Sequence, residues 1–129
     1  MSLRKKVNIL INNNKLRNRL RYAVNFILTF GAGKNLNKLA IINKTDKWGI
    51  HSYTKHYRYY FNKLRKKKIN LLEIGVGGYD SPQNGGASLR MWKRYFLRGN
   101  IYSLDIYDKS LLEEDRIKFL REVKPMKRF

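Results

Sequence analysis

The chain has 129 residues, 43% of them hydrophobic, with no cysteine and a net charge of +20. That much apolar material argues for a single packed domain and against wholesale disorder, while the lack of cysteine removes disulfides, thiolate metal sites and a cysteine nucleophile and suits a reducing compartment. Residues 1–45 hold ten Lys or Arg and no acid, and residues 46–129 hold the other nineteen bases with all nine acids, a field that favours nucleic acid, anionic lipid or phosphorylated ligands. Heavy use of Lys, Asn, Ile and Tyr throughout gives a second, purely compositional source for that charge.

In chain order, KLRNRLRYAVNFILTFGAG comes first. Leu16, Leu20, Val24, Ile27 and Leu28 recur at helical spacing, Gly31 is a C-terminal stop, and Arg17, Arg19 and Arg21 fall on the other face. The spacing predicts an amphipathic helix packed on the domain or on a second copy of the chain, which would make a homo-oligomer. The apolar run at residues 23–30 is too short for a membrane span of ~20 residues. No small-residue cleavage site follows it, so the expected location is the cytoplasm.

DKWGIHSYTKHYRYYFNKLRKKK, residues 46–68, predicts a second helix, with Tyr53, Tyr57, Tyr60, Phe61 and Leu64 in one continuous stripe. His51, Thr54 and the Trp48–Gly49 turn lie before or off that stripe and can face a cleft. His51 and His56, two lone histidines five apart, are expected to make a poor metal site for want of a nearby carboxylate. Residues 69–74 read as a buried parallel strand interrupted by Asn70 and Glu73. Leu89, Trp92 and Phe96 form the apolar face of the next helix, with Arg90, Lys93 and Arg94 outside. Gly99–Asn100 ends it, and residues 101–106 (IYSLDI) read as a second strand. Strand, glycine turn, helix, strand is a βαβ unit. Residues 107–129 read as a loop and one helix, then the basic tail KPMKRF.

Ligands of βαβ units sit beyond the C-terminal strand ends, where glycines let the backbone approach and the helix start offers free N–H groups. Gly75, Gly77 and Gly78 supply that turn. Asp105, at the end of the second strand, can accept hydrogen bonds from both ribose hydroxyls, which implies a ligand containing a nucleoside. From Gly75 the text runs G-V-G-G-Y-D, so Asp80 stands where a dinucleotide fingerprint has its last glycine, and its charge would repel a pyrophosphate. Glu73, two residues before the first glycine, suits a cationic amine. Both acids favour S-adenosylmethionine over NAD. No G-K-[ST] follows the turn, so a P-loop is absent.

The stretches DKWGIHSYTKHY, LLEIGVGGYDSPQNGGASLRMWKRYF and GNIYSLDIYDKS together resemble the class I methyltransferases that O-methylate sugars on macrolides, the macrocin/mycinose-type group. The resemblance covers roughly residues 45–116. It implies an α/β fold with a Rossmann-like βαβ unit in an incomplete parallel sheet preceded by N-terminal helices. Residues 1–45 would be a basic N-terminal helical segment and 46–129 the N-terminal part of a domain binding S-adenosyl-L-methionine. It further implies that Glu73, Gly75, Gly77 and Gly78 line the cofactor, with Asp105 on the ribose and Ser88 near the methionine carboxylate. Tyr53 and Thr54 would cover the cofactor or reach a sugar-containing acceptor.

In that family a divalent metal (Mg) and a histidine base activate the sugar hydroxyl, from residues beyond the fourth strand. The expectation is therefore that no catalytic or metal-binding residue falls in this chain. Asp108, Glu113, Glu114 and Asp115 are expected at a turn and a helix N-terminus instead. After Ile117 the family pattern expects a third strand and a Gly-Ser-Gln stretch, where this chain reads KFLREVKPMKRF. The expectation is an enzyme shortened by a frameshift or stop, with a two-stranded sheet of low stability and doubtful activity. The rival expectation is a non-enzymatic basic protein that binds nucleic acid or another polyanion through residues 1–45 and the cluster at 65–68.

Overall fold

The structure is a computed structural model that describes residues 30–121 together with Leu16, Arg19, Leu20, Ala23, Val24 and Ile27. Helix α1 (Leu36–Asn43) starts at Asn35, whose side chain accepts from the Lys38 N–H at 3.1 Å, satisfying one of the otherwise unpaired N–H groups of a first turn. It ends at Lys44, whose left-handed conformation returns its N–H to the helix carbonyls. Helix α2 (Tyr53–Phe61) runs into a short 3-10 turn, Asn62–Leu64. Strand β1 (Asn70–Ile74), helix α3 (Ala87–Tyr95) and strand β2 (Asn100–Leu104) form the βαβ unit expected from sequence. A second 3-10 turn, Ser110–Leu112, leads to strand β3 (Ile117–Phe119).

The sheet has three parallel strands in the order β1-β2-β3, with Leu71 opposite Ile101 and Ile101 opposite Ile117. These three side chains and Ser103 point to the face that α3 covers. Leu89, Met91, Trp92, Tyr95 and Phe96 are all buried there, joined by Leu36, Leu39 and Ala40 of α1. Tyr57 and Phe61 of α2 pack their rings edge-on to Trp92, at 5.1 and 5.9 Å between centroids. Each large apolar side chain buried this way contributes about 1.5–3 kcal/mol, so α3 is the centre of the fold. Its buried face is wider than the Leu89–Trp92–Phe96 stripe alone.

Several elements differ from the sequence expectation. Strand β1 is covered on one face only: Leu72 and Ile74 are 52% and 73% exposed, because every second residue of a strand faces away from the helix layer. In the α2 stripe, Tyr57, Phe61 and Leu64 pack on the core, but Tyr53 and Tyr60 are exposed, since the helix ends at Phe61 and its pitch carries Tyr60 outward. Instead of a loop and a helix, the segment after Tyr107 forms the 3-10 turn and β3, making the sheet three-stranded rather than two-stranded. At the N-terminus, Leu20, Val24 and Ile27 are helical but exposed, so those described residues of the amphipathic stripe do not pack on the domain. Leu28, the neighbouring arginines Arg17 and Arg21, and the basic tail lie outside the described residues. Gly31 is still helical and the turn comes at Gly33, with φ of 53°.

Candidate cofactor site

The site is built where β1 and β2 end. The Gly75 N–H donates to the Leu104 carbonyl at 2.8 Å, tying the two strand ends together. One residue on, the Val76 N–H donates to Asp105 Oδ2 at 2.9 Å, and the Tyr107 N–H donates to Oδ1 at 3.0 Å. Those two backbone donors, Val76 first, hold the Asp105 carboxyl below the usual carboxylate range, and the Lys109 charge adds to the effect. Asp105 is thus an ionised acceptor at neutral pH, with lone pairs left for a ligand.

The glycine-rich turn between β1 and α3 folds back on itself. The Gly86 N–H donates to the Val76 carbonyl at 2.8 Å. A methyl group on Gly85 would lie 2.3 Å from the Gly77 carbonyl oxygen, and one on Gly78 would lie 2.3 Å from the Asn84 carbonyl. These glycines let two backbone runs pack directly on each other. Gly75 and Gly77 are different: both have positive φ, but the space beside them is empty of protein atoms. That space is a cavity of about 430 Å³ lined by Ile74, Gly75, Gly77, Tyr79, Leu104, Asp105, Ile106 and Tyr107. It is an apolar slot with one carboxylate at its edge, an apolar wall for a base and an acceptor for ribose hydroxyls.

On the other side of Ile74 and Gly75 lies a second cavity of about 320 Å³, whose lining includes Lys47, Glu73 and Trp92. Here Glu73 Oε1 accepts from Ser88 Oγ at 2.7 Å and pairs with Lys47 Nζ at 2.9 Å. Glu73 Oε2 is buried with no hydrogen-bond partner. An unpaired buried oxygen of this kind is costly, and a cationic group would satisfy it. The glycine turn, Asp105 and Glu73 therefore fit S-adenosylmethionine.

Of the eight residues expected at a cofactor, Glu73, Gly75, Gly77 and Asp105 line one or both cavities, whereas Gly78 packs on the Asn84 backbone. Ser88 spends its hydroxyl on Glu73. Tyr53 and Thr54 line neither cavity. Tyr53 stacks on His51 at 5.1 Å, while Thr54 is fully buried with its hydroxyl unpartnered.

Asp108 accepts from the Ser110 N–H, Glu113 from the Phe119 N–H, and Glu114 pairs with Lys93. Asp115 lies 3.9 Å from Arg116. Asp108 thus sits at the start of the 3-10 turn Ser110–Leu112, while Glu113 and Glu114 brace β3 and α3. Among the described residues no group of three His, Cys, Asp or Glu could hold a metal ion.

Two lysines that shape the site escaped the sequence reading. Lys47 neutralises Glu73. Lys109 is fully buried and donates from Nζ to the Ser81 and Asn84 carbonyls at 2.8 and 3.1 Å, anchoring the far end of the glycine turn. In a chain with 29 Lys and Arg, local sequence does not mark either one out.

Over 98 residues the chain is 49% identical to the 8-demethyl-8-alpha-L-rhamnosyl tetracenomycin-C 2'-O-methyltransferase of Streptomyces olivaceus, covering 74% of this chain and 26% of the relative. It is 52% identical over 87 residues to the demethylmacrocin O-methyltransferase of Streptomyces fradiae, covering 67% and 22%. The chain is homologous to the macrocin/mycinose-type sugar O-methyltransferases. Among solved structures, the MycE methyltransferase in complex with Mg and SAH matches with a TM-score of 0.66 and 46% identity, over 70% of this chain and 23% of that one. A MycE complex with Mg, SAH and mycinamycin VI covers 95% of this chain and 33% of its own, at 37% identity and the same TM-score. No protein-family model matches the chain. The methyltransferase homologue thus spans about a quarter of the length of its curated relatives. The three-stranded parallel sheet with α3 against it has the MycE fold in this region.

Proposed function

We propose that this chain binds S-adenosylmethionine across the ends of β1 and β2, as the cofactor-holding portion of a sugar O-methyltransferase. The observation that carries the reading is the ionised Asp105 at the mouth of an apolar cavity whose other lip is the Gly75–Gly77 turn. A nucleoside fits that cavity with its ribose hydroxyls on Asp105 and its base against Ile106 and the tyrosines. When bound, the cofactor supplies an electrophilic methyl group for in-line attack by a hydroxyl oxygen. The chain's part is to hold the sulfonium in one orientation, and such positioning contributes several kcal/mol to a displacement of this kind.

MycE, solved with SAH and with a sugar-bearing substrate, supports a sugar-type acceptor, to be placed on the side where Tyr53 and Thr54 begin α2. Cytoplasmic residence fits a chain without cysteine, and no helix among the described residues is long and apolar enough to cross a membrane.

Calorimetric titration with SAH tests the reading. Asp105→Ala should weaken binding at least tenfold, and affinity should change little between low and moderate salt, unlike a phosphate-driven contact. An unchanged affinity in the variant would sink the assignment of the ribose site.

A further inference from the structure

The two cavities share Ile74 and Gly75 but differ in chemistry. One is apolar with a single carboxylate, Asp105. The other presents an ammonium and a carboxylate side by side, Lys47 Nζ and Glu73 Oε1 at 2.9 Å, both mostly buried. Two neighbouring subsites of this kind match a ligand made of a nucleoside joined to an amino acid.

Building on the cofactor reading above, we propose that Lys47 is a binding residue for the α-carboxylate of the cofactor's amino-acid end, and that the Lys47–Glu73 pair recognises that end as a zwitterion. The chemistry is reciprocal. Lysine has three N–H donors; one points at Glu73 Oε1, and the remainder can serve a carboxylate. Glu73 keeps Oε1 for Ser88 and Lys47 while Oε2 has no partner. A carboxylate's terminal torsion is broad and nearly two-fold, so a small rotation turns the unpaired oxygen toward a ligand ammonium. Four charges then alternate in sign, each cation between two anions. Ser88, expected from the family resemblance near that carboxylate, has its hydroxyl proton on Glu73, whereas Lys47 lines the same cavity as Glu73 and keeps N–H donors for a ligand. The backbone supports the placement: the Lys47 carbonyl accepts from the Thr54 N–H at 3.2 Å, fixing the lysine against the start of α2.

The test compares three probes on the intact chain by calorimetry: SAH, 5'-methylthioadenosine, which lacks the amino acid, and decarboxylated SAH, which keeps only the amine. The wild type should bind SAH at least tenfold more tightly than either of the others. In Lys47→Met the SAH affinity should fall about tenfold, to the level of decarboxylated SAH. Methylthioadenosine should stay within twofold of its wild-type value, and Lys47→Arg should recover part of the loss. Equal wild-type affinity for SAH and decarboxylated SAH overturns the proposal without needing any variant to fold. A Lys47→Met protein that loses methylthioadenosine and SAH in equal measure also overturns it, because Lys47 would then be only structural. If the wild type binds methylthioadenosine but ignores the tail, the nucleoside reading stands and the Lys47 role fails. Binding of none of the three removes both.

Discussion

At the scale of single residues, the glycines divide into two kinds. Gly78 and Gly85 are small because backbone lies where their side chains would be, whereas Gly75 and Gly77 border open space at positive φ. Gly85→Ala should therefore destabilise the fold by at least ~2 kcal/mol, from left-handed strain plus displacement of the Gly77 carbonyl. Gly77→Ala should cost only the ~1 kcal/mol of strain but weaken SAH binding, since its methyl group enters the cavity. Urea unfolding beside SAH titration checks the pair; equal effects of the two on stability would refute the division.

Asp105 gives a prediction in pH. Its folded pKa lies below the unfolded value, so its stabilising contribution is complete above about pH 4 and is lost as pH falls through the folded value. Between about pH 5 and about pH 2, Asp105→Asn should show a flatter loss of stability than the wild type. Parallel curves would mean that the Val76 and Tyr107 contacts add nothing. Asp105 and Glu73 were legible from sequence, because an acid at a strand end beside glycines is a local pattern. Lys47 and Lys109 were not, because their partners are 26 residues away for Lys47 and 25 and 28 residues away for Lys109, and nothing adjacent in the chain names them.

At the scale of elements, the βαβ unit was legible because its signals are strong and local: a helix face repeated over Leu89, Trp92 and Phe96, a Gly-Asn break, and alternation along Ile101 and Ser103. Strand β3 was missed because three residues carry too little periodicity to separate strand from helix. What holds it in place is long-range. Arg116 sits in a left-handed conformation (φ 61°) just before β3. From there its guanidinium donates to the Lys93, Phe96 and Gly99 carbonyls at 2.7, 2.8 and 2.8 Å, closing the C-terminal end of α3 where carbonyls lack helical partners and a positive charge is favoured. Arg116→Met should cost about 2–3 kcal/mol of unfolding free energy, more than a surface ion pair would. A loss below ~0.5 kcal/mol in chemical denaturation would show that the Arg116 contacts add little to the pairing of β3 with β2.

At the scale of the molecule, one layer of helices covers one face of a parallel sheet, and on the other face Leu72 and Ile74 stand exposed. Parallel sheets ordinarily bury both faces, so periodicity over residues 69–74 could suggest a strand but not which side would be covered. The same asymmetry places the functional cavities: both open beside Ile74 and Gly75, where β1 leaves the helix layer and the turn begins. The proposed cofactor site thus occupies one corner of the fold, where β1 and β2 end.

Nitrogen-15 NMR of the chain titrated with SAH tests that statement most directly. The account predicts saturable shifts at the amides of Gly75, Val76, Gly77 and Ile106, with the amides of β3 unmoved. Shifts absent from those positions, or confined to the basic residues 1–45, would contradict it and leave the polyanion-binding reading in its place.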